Sequence, residues 1–346
     1  MTGARRFETL DAMRGVAAIA VMLHHVTQHT SRPLFDSAGL AVDLFFCLSG
    51  FVIAHSYLDR LQGGMSLGEF VERRLVRLYP MYLIGFALGA TALLLESYLG
   101  QSGLSEAQSQ SAIALNLFYL PYLSSGDPEL SIFPTNAPAW SLFFEVAINV
   151  IFAVWAIRGR AKGALPIAIL GAVLLAVNTR YTWQREPGWS NLNFLGGVPR
   201  TFLGFYMGVV LYRLHRRHAD RFMRINPAYI LASLAIVFVM PNMGAWSIFL
   251  WLGSAIVLVP LWVSLGVNSE PSGARARRIF GYVGWLSYPI YCLHVPIYHL
   301  INLTAASYLN EFVISALAIM LSFAVAHTAT KYIEEPSRSR LQAALR

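Results

Sequence analysis

The chain has 346 residues, 56% of them hydrophobic and only 13% charged, with a mean hydropathy of +0.53. Soluble domains carry about 25% charged residues, so the composition excludes an ordinary soluble fold and points to an integral membrane protein with many spans. The formal net charge of +8 does not imply a nucleic-acid partner. The basic residues lie in short clusters between apolar stretches, which is how membrane topology is encoded.

Ten apolar segments approach the ~20 residues that a helix needs to cross a bilayer. They lie near 13–29, 40–57, 77–95, 140–157, 165–178, 195–212, 227–241, 246–265, 281–301 and 311–330, the fifth and seventh being short. The expected fold is all-α, a polytopic membrane helix bundle read as one domain over residues 1–346, placed as a multi-pass protein of the inner (plasma) membrane. With the N-terminus inside, 22 of the 26 Lys and Arg fall in segments facing the cytoplasm, and the exceptions are Arg32, Arg180, Arg185 and Arg200. The positive-inside rule then puts both termini in the cytoplasm. Arg5 and Arg6 before an apolar run resemble a signal peptide, but His24 and His25 break that run, so an uncleaved first span is expected. Cys47 and Cys292 fall inside apolar segments and are expected to be buried thiols, with neither a disulfide nor a metal site.

In the first span Arg14 and His25 stand eleven residues apart. Eleven steps of ~100° make three turns plus roughly 20°, so both side chains share a face, about 16 Å apart along the axis. With Arg14 at the membrane surface, His25 is expected near the midplane, where an ionisable group is a functional hypothesis by default. A polar slot running from the inner rim to that imidazole follows. His24 points elsewhere, and His29, His55, His215, His218, His299 and His327 are read as interfacial or solvated.

The second span carries Asp43 near its outer boundary, where a carboxylate must face water, a cavity or a cation. Ser49-Gly50 within it permits close approach of a neighbouring helix. In the loop that follows, Ser66-Leu67-Gly68-Glu69 has capping-box spacing and predicts a basic helix near 66–77 carrying Arg73, Arg74 and Arg77. Arg74 and Arg77 are neighbours on one face. Their guanidinium forks suit phosphate, and they serve equally as topogenic charge or as contacts to anionic lipid. A long outer loop, 96–139, contains the apolar segment 111–123, read as re-entrant or surface-bound.

The fourth span opens with Trp140, an interfacial residue. Ser141, Glu145 and Asn149 then form one polar stripe. Glu145 is either catalytic or a structural partner of Arg200 in span six. The ninth span carries Tyr288, Tyr291 and His294 at every third residue, a stripe that lines something polar or ties helices together. Tyr119, Tyr122, Tyr181, Trp183 and Trp189 in the outer loops stack on sugars or anchor the chain at the interface.

These elements together resemble the acyltransferase-3 family of integral membrane acyltransferases, stand-alone type. The resemblance rests on Arg14 with His25, on Val42-Asp43-Leu44-Phe45-Phe46-Cys47-Leu48-Ser49-Gly50-Phe51, on Arg74 and Arg77 before Leu78-Tyr79-Pro80, on Trp140-Ser141-Leu142 with Glu145, and on Tyr288, Tyr291 and His294. Departures are Cys47 where valine is common, Ala41 where glycine is usual, and Glu334-Glu335-Pro336, which lacks a basic residue before the proline.

The resemblance implies acyl transfer from cytoplasmic acyl-coenzyme A, acetyl-coenzyme A first among them, to a hydroxyl acceptor such as a glycan or glycolipid, with no metal. It implies His25, Glu145 and Asp43 as catalytic residues and Arg14, Arg73, Arg74 and Arg77 as donor-binding. Trp140, Ser141, Tyr288, Tyr291, His294, Ser49 and Arg200 are then substrate-binding. His25 acts as general base or carries the acyl group itself; spacing does not separate the two. A secondary transporter or flippase is the alternative, and it expects inverted repeats with broken helices, which the sequence does not display. A non-catalytic scaffold gives no reason for the Arg14–His25 spacing.

Overall fold

The computed structural model describes residues 7–124, 126–159 and 163–344. Arg5, Arg6, Arg160, Lys162 and Arg346, used above for topology, lie outside the described residues. The described chain is all-helical, with an isolated bridge between Ser131 and Ser190 as its one β-type pairing.

The helices in chain order are α1 (Glu8–Thr27), α2 (Leu40–Gln62), α3 (Leu67–Tyr98), α4 (Glu106–Leu117), α5 (Ala139–Ile157), α6 (Ala164–Thr182) and α7 (Gly197–His218). They continue as α8 (Pro227–Val239), α9 (Ala245–Gly253), α10 (Val259–Asn268), α11 (Ala274–Ala305), α12 (Glu311–Ala329) and α13 (Glu335–Ala344). One π-helical turn joins α9 to α10 and another joins α12 to α13.

Among the described residues seven helical stretches are long and apolar enough to cross a membrane, which makes the chain a polytopic helix bundle. The expected ten segments are all helical, but three differ from the seven. α8 has 13 residues, short of a full crossing. α1 and α11 have 20 and 32 residues, long enough, yet they are not apolar enough to count. Both carry the polar residues singled out above, and they pack on each other. Gly15 lies on the Val283 backbone and Gly284 on Asp11, so closely that a Cβ at either would collide. Small residues of this kind let membrane helices approach backbone to backbone.

The same device joins α2 to α7, where Gly50 faces the Phe205 carbonyl and Gly208 the Cys47 carbonyl. This is the close approach expected of Ser49-Gly50. Cys47 and Cys292 are buried free thiols.

The basic helix starts where expected, with the Ser66 hydroxyl accepting from the Glu69 N–H at 3.1 Å. Only half of a capping box forms, because the Glu69 carboxylate turns to Arg73 instead. Pro80 does not separate this helix from the third span; α3 runs through it for 32 residues. The apolar segment of the outer loop is α4, opened by a full capping box between Ser105 and Gln108. Its Asn116 is buried and ties the loop together, bonding Thr135, Leu120 and Tyr82.

In α11, Pro296 has no N–H to give the Cys292 carbonyl. The Asn136 amide donates to that carbonyl instead, at 2.9 Å. The outer loop is thereby fastened to the helix that carries His294.

Candidate active site

Asp43 and Arg200 form a sealed pair. Arg200 donates to both Asp43 oxygens, Nε to Oδ1 at 2.9 Å and Nη2 to Oδ2 at 2.8 Å. The Trp251 indole adds a third bond to Oδ2 at 3.1 Å, and Arg200 also donates to the carbonyls of Gly39 and Pro187. The guanidinium lies 5.3 Å from the ring of Trp140 and 5.3 Å from that of Trp251. The Arg200 side chain is 0% exposed. Bidentate geometry with every guanidinium nitrogen bonded is what a buried ion pair needs to persist. Asp43, Trp140 and Arg200, expected at the site, line neither cavity described below. Of the two readings of Glu145, the structural pairing with Arg200 does not form, because Asp43 occupies that guanidinium.

A cavity of about 500 Å³ opens at the end of the bundle where Phe7 and Arg338 both lie. This is the basic end, called inner here. Along α2 its lining runs from Phe45 to Ser56, about 16 Å of helix. Arg14, Ser49, Arg74, Arg77, Ser141, Glu145, Tyr288 and Tyr291 all face it, as expected of a shared site. Arg14 is held by Asp11 at 2.8 Å and donates to Ser287 at 3.0 Å. Glu145 accepts from Ser49 at 2.9 Å and from Arg74 at 3.1 Å. Arg73 does not join them: its guanidinium is bound to Glu69 on the same helix and is absent from the cavity wall. Tyr288 donates to the Leu78 carbonyl, which ties α11 to α3.

The inner cavity ends at Ser141 and Tyr291, whose hydroxyls are 2.7 Å apart beside the Pro138 carbonyl. Phe45 packs edge-on against Tyr291. His25 and His294 are not on its wall. The continuous slot ending at the imidazole is therefore corrected: it stops one turn of α11 short of His294. His25 lies in the last turn of α1.

Beyond that layer His25 Nδ1 is 2.8 Å from His294 Nε2, and His294 Nδ1 is 2.8 Å from the Ile290 carbonyl. A carbonyl oxygen only accepts, so His294 Nδ1 carries the proton it shares with Ile290. Neutral His294 then presents a lone pair at Nε2, and His25 Nδ1–H donates to it. That leaves the lone pair of a neutral His25 on Nε2. His294 is fully buried; His25 is part-buried.

One turn further out on both helices is a second cavity, of about 650 Å³. His29, four residues after His25, lines it with Tyr298 and His299, four and five residues after His294. Thr30, Glu96, Gln101, Asn302, Ser307 and Glu311 complete its polar wall, and among the described residues the side chains of Glu96, Gln101 and Asn302 have no hydrogen-bond partner. The histidine pair thus stands in a partition between two polar cavities. From Tyr291 to Tyr298 that partition is about 10 Å of helix.

Reading the sequence missed the outer cavity, having taken His29 and His299 as interfacial. The i, i+4 step from His25 to His29 was the available signal. It also missed His55, Glu334, Glu335 and Arg338 on the inner wall. Of the aromatic residues weighed as sugar platforms, Tyr119 is buried with its ring 3.8 Å from that of Tyr82, whereas Tyr181 and Trp183 are exposed. Among the described residues no group of three or more His, Cys, Asp or Glu is placed to hold a metal ion.

The profile of the family described as "Acyltransferase domain" matches residues 7–330. Among curated proteins, "Protein 2 in picA locus" of Rhizobium radiobacter is 35% identical over 181 residues, half of this chain and 94% of that protein. "Nodulation protein 10" of Rhizobium leguminosarum bv. viciae is 24% identical over 94% of this chain and 92% of its own length. "Acyltransferase MdmB" of Streptomyces mycarofaciens is 29% identical over 43% of this chain and 39% of its own. No solved structure matches. The match covers nearly the whole chain and includes the histidine pair, the outer cavity and all of the inner cavity's lining except Glu334, Glu335 and Arg338, so this polytopic membrane protein belongs to the acyltransferase-3 family and is a transferase of acyl groups.

Proposed function

We propose that the chain moves an acyl group, acetyl in the first instance, from acyl-coenzyme A in the inner cavity to a hydroxyl of a carbohydrate or other cell-envelope acceptor in the outer one. His25 is the general base. The observation that carries this reading is the histidine pair standing one helical turn from each cavity, with a lone pair on His25 Nε2. Imidazole titrates near neutral pH when unperturbed, which suits proton transfer under cellular conditions.

In this scheme the coenzyme A phosphates sit among the arginines of the inner mouth, where charge-assisted bonds to phosphate are strong. The pantetheine arm runs up the 16 Å of α2-lined cavity, and Tyr291 swings off Ser141 to admit the thioester. His25 Nε2 takes the proton of the acceptor hydroxyl as its oxygen attacks the thioester carbonyl. The C–S bond breaks, and the imidazolium returns the proton to the departing thiolate, giving the free thiol of coenzyme A. His294 holds the ring and steadies the positive charge through the 2.8 Å bond to Nδ1. The same Nε2 lone pair serves a covalent acyl-histidine route. Glu145 acts on the donor side, by setting Arg74, rather than on the acceptor. The unpartnered carboxylate and amides of the outer cavity, with its imidazoles and the Tyr298 ring, match the mixed donors and acceptors of a sugar.

Two cavities on either side of a thin partition also fit a carrier that exposes one site alternately to each side. Labelled acetyl-coenzyme A separates the readings. Purified protein that releases free coenzyme A thiol and labels an envelope glycan, seen by mass spectrometry, supports the transferase. Transport of a glycan precursor with no thiol release would overturn it.

A further inference from the structure

The two cavities differ in the sign of their charge. On the inner wall the four arginines Arg14, Arg74, Arg77 and Arg338 stand beside four carboxylates. The outer wall carries Glu96 and Glu311 and, among the described residues, no Lys or Arg. The backbone adds to that negative sign. Helices α1, α3 and α11 all end at the outer cavity, where Thr30, Gln101 and Ser307 lie just past their last turns and line it. Each helix C-terminus carries a partial negative charge of roughly half a unit. One helix, α12, begins there, and Glu311 in its first turn occupies that positive end while accepting from the Ser31 N–H at 2.8 Å.

Glu96 is the carboxylate left over. It lies in the last turn of α3, where a negative side chain opposes the helix dipole. Among the described residues no hydrogen bond or ion pair engages its side chain. Neither helix stability nor a protein partner accounts for an acid at this position, whereas a cation in the cavity does.

We propose that the outer cavity takes a hydroxyl acceptor that also carries an ammonium group, an amine-bearing sugar, and that Glu96 binds this cation and turns away acidic acceptors. This rests on the acceptor reading above and names the charge class of that acceptor. The ammonium is an anchor and not the group acylated: protonated, it has no lone pair with which to attack the thioester. A hydroxyl of the same molecule is left to face His25, one turn of α1 inward of His29. Complementary charge of this kind sets which partner is accepted and which is repelled.

The test uses three glucosides that share every ring hydroxyl and differ in the charge of the tail: aminopropyl, propyl and carboxyethyl β-glucoside. The purified full chain is assayed with labelled acetyl-coenzyme A at about pH 7.5, where the ammonium and the carboxylate are charged and an ordinary imidazole is mostly neutral. The wild type should favour the aminopropyl over the propyl glucoside by about tenfold in kcat/KM, and the propyl over the carboxyethyl by about tenfold again. Glu96→Gln should bring all three within about threefold, through KM for the glucoside, and Glu96→Lys should reverse the order. Glu106→Gln, in α4 and off the cavity wall, should keep the wild-type series. The wild-type series is decisive even where a variant fails to fold. Equal rates, or a preference for the carboxyethyl glucoside, overturn the proposal and leave the acceptor reading intact. Acylation of none of the three removes that reading and this one together. Magnesium chloride separates an acceptor amine from an inorganic cation. If it raises the propyl glucoside to the rate of the aminopropyl one, and Glu96→Gln abolishes the rise, Glu96 binds the metal ion and the proposal is overturned.

Discussion

Two ion pairs within the bundle, Asp43–Arg200 and Arg74–Glu145, are built from the same chemistry and end in different states. Arg200 is 0% exposed, grips Asp43 with two nitrogens, and has two indole rings against its guanidinium. Arg74 touches Glu145 through one nitrogen at 3.1 Å, its Nε has no partner, and Glu145 faces a cavity. A pair in which every guanidinium nitrogen and both carboxylate oxygens are engaged, away from either cavity, presents no open group to a ligand. A pair with unused donors beside open space can change partners. Charge inside a membrane helix therefore marks function only where the pairing is incomplete.

The largest effect separating the two pairs is on stability. Asp43→Ala leaves a buried, uncompensated guanidinium and should cost about 3–5 kcal/mol, seen as loss of folded protein in a detergent thermal-unfolding assay. Glu145→Ala should cost less, about 1–3 kcal/mol, because water in the cavity can solvate Arg74. Equal costs would remove the distinction between a sealed and an open pair. His294→Leu removes the acceptor that fixes the His25 ring and should slow turnover by about tenfold or more, ~1.4 kcal/mol in the barrier, with donor affinity unchanged. A rise in donor KM with unchanged kcat would instead place His294 in donor binding. Ser49→Ala removes one hydrogen bond to Glu145 and should cost roughly 1 kcal/mol of stability. The smallest effect is at Asn149, whose buried amide has no partner for either atom. Asn149→Leu should be neutral or stabilising, and a loss beyond about 1 kcal/mol would reveal a bond that the structure does not contain.

Much of this was legible in the sequence because periodicity and hydropathy are local. The ten segments are helices, Gly50 is a helix-contact residue, and Arg14 and His25 both reach α11 from one face of α1. Partners were not legible, because which charge meets which depends on how helices distant in sequence are arranged. Asp43 and Arg200 are 157 residues apart, and Arg74 and Glu145 are 71 apart. Nothing in their spacing separates the observed pairs from the expected one of Glu145 with Arg200. The outer cavity was hidden for a related reason. Its residues sit at the ends of α1, α3, α11 and α12, where polar side chains are ordinary, and only the assembled bundle turns them toward one space. Arg338 had the same disguise, as a basic residue in a tail where basic residues are expected.

The central claim is that the Nε2 lone pair of His25, in the partition between the cavities, removes the acceptor proton. His25→Ala, assayed with labelled acetyl-coenzyme A beside the wild type, addresses it directly, with thermal unfolding and coenzyme A affinity measured on the same preparation. The account predicts turnover lower by about 10²–10⁴-fold with both controls unchanged. Wild-type turnover in folded His25→Ala protein would contradict it.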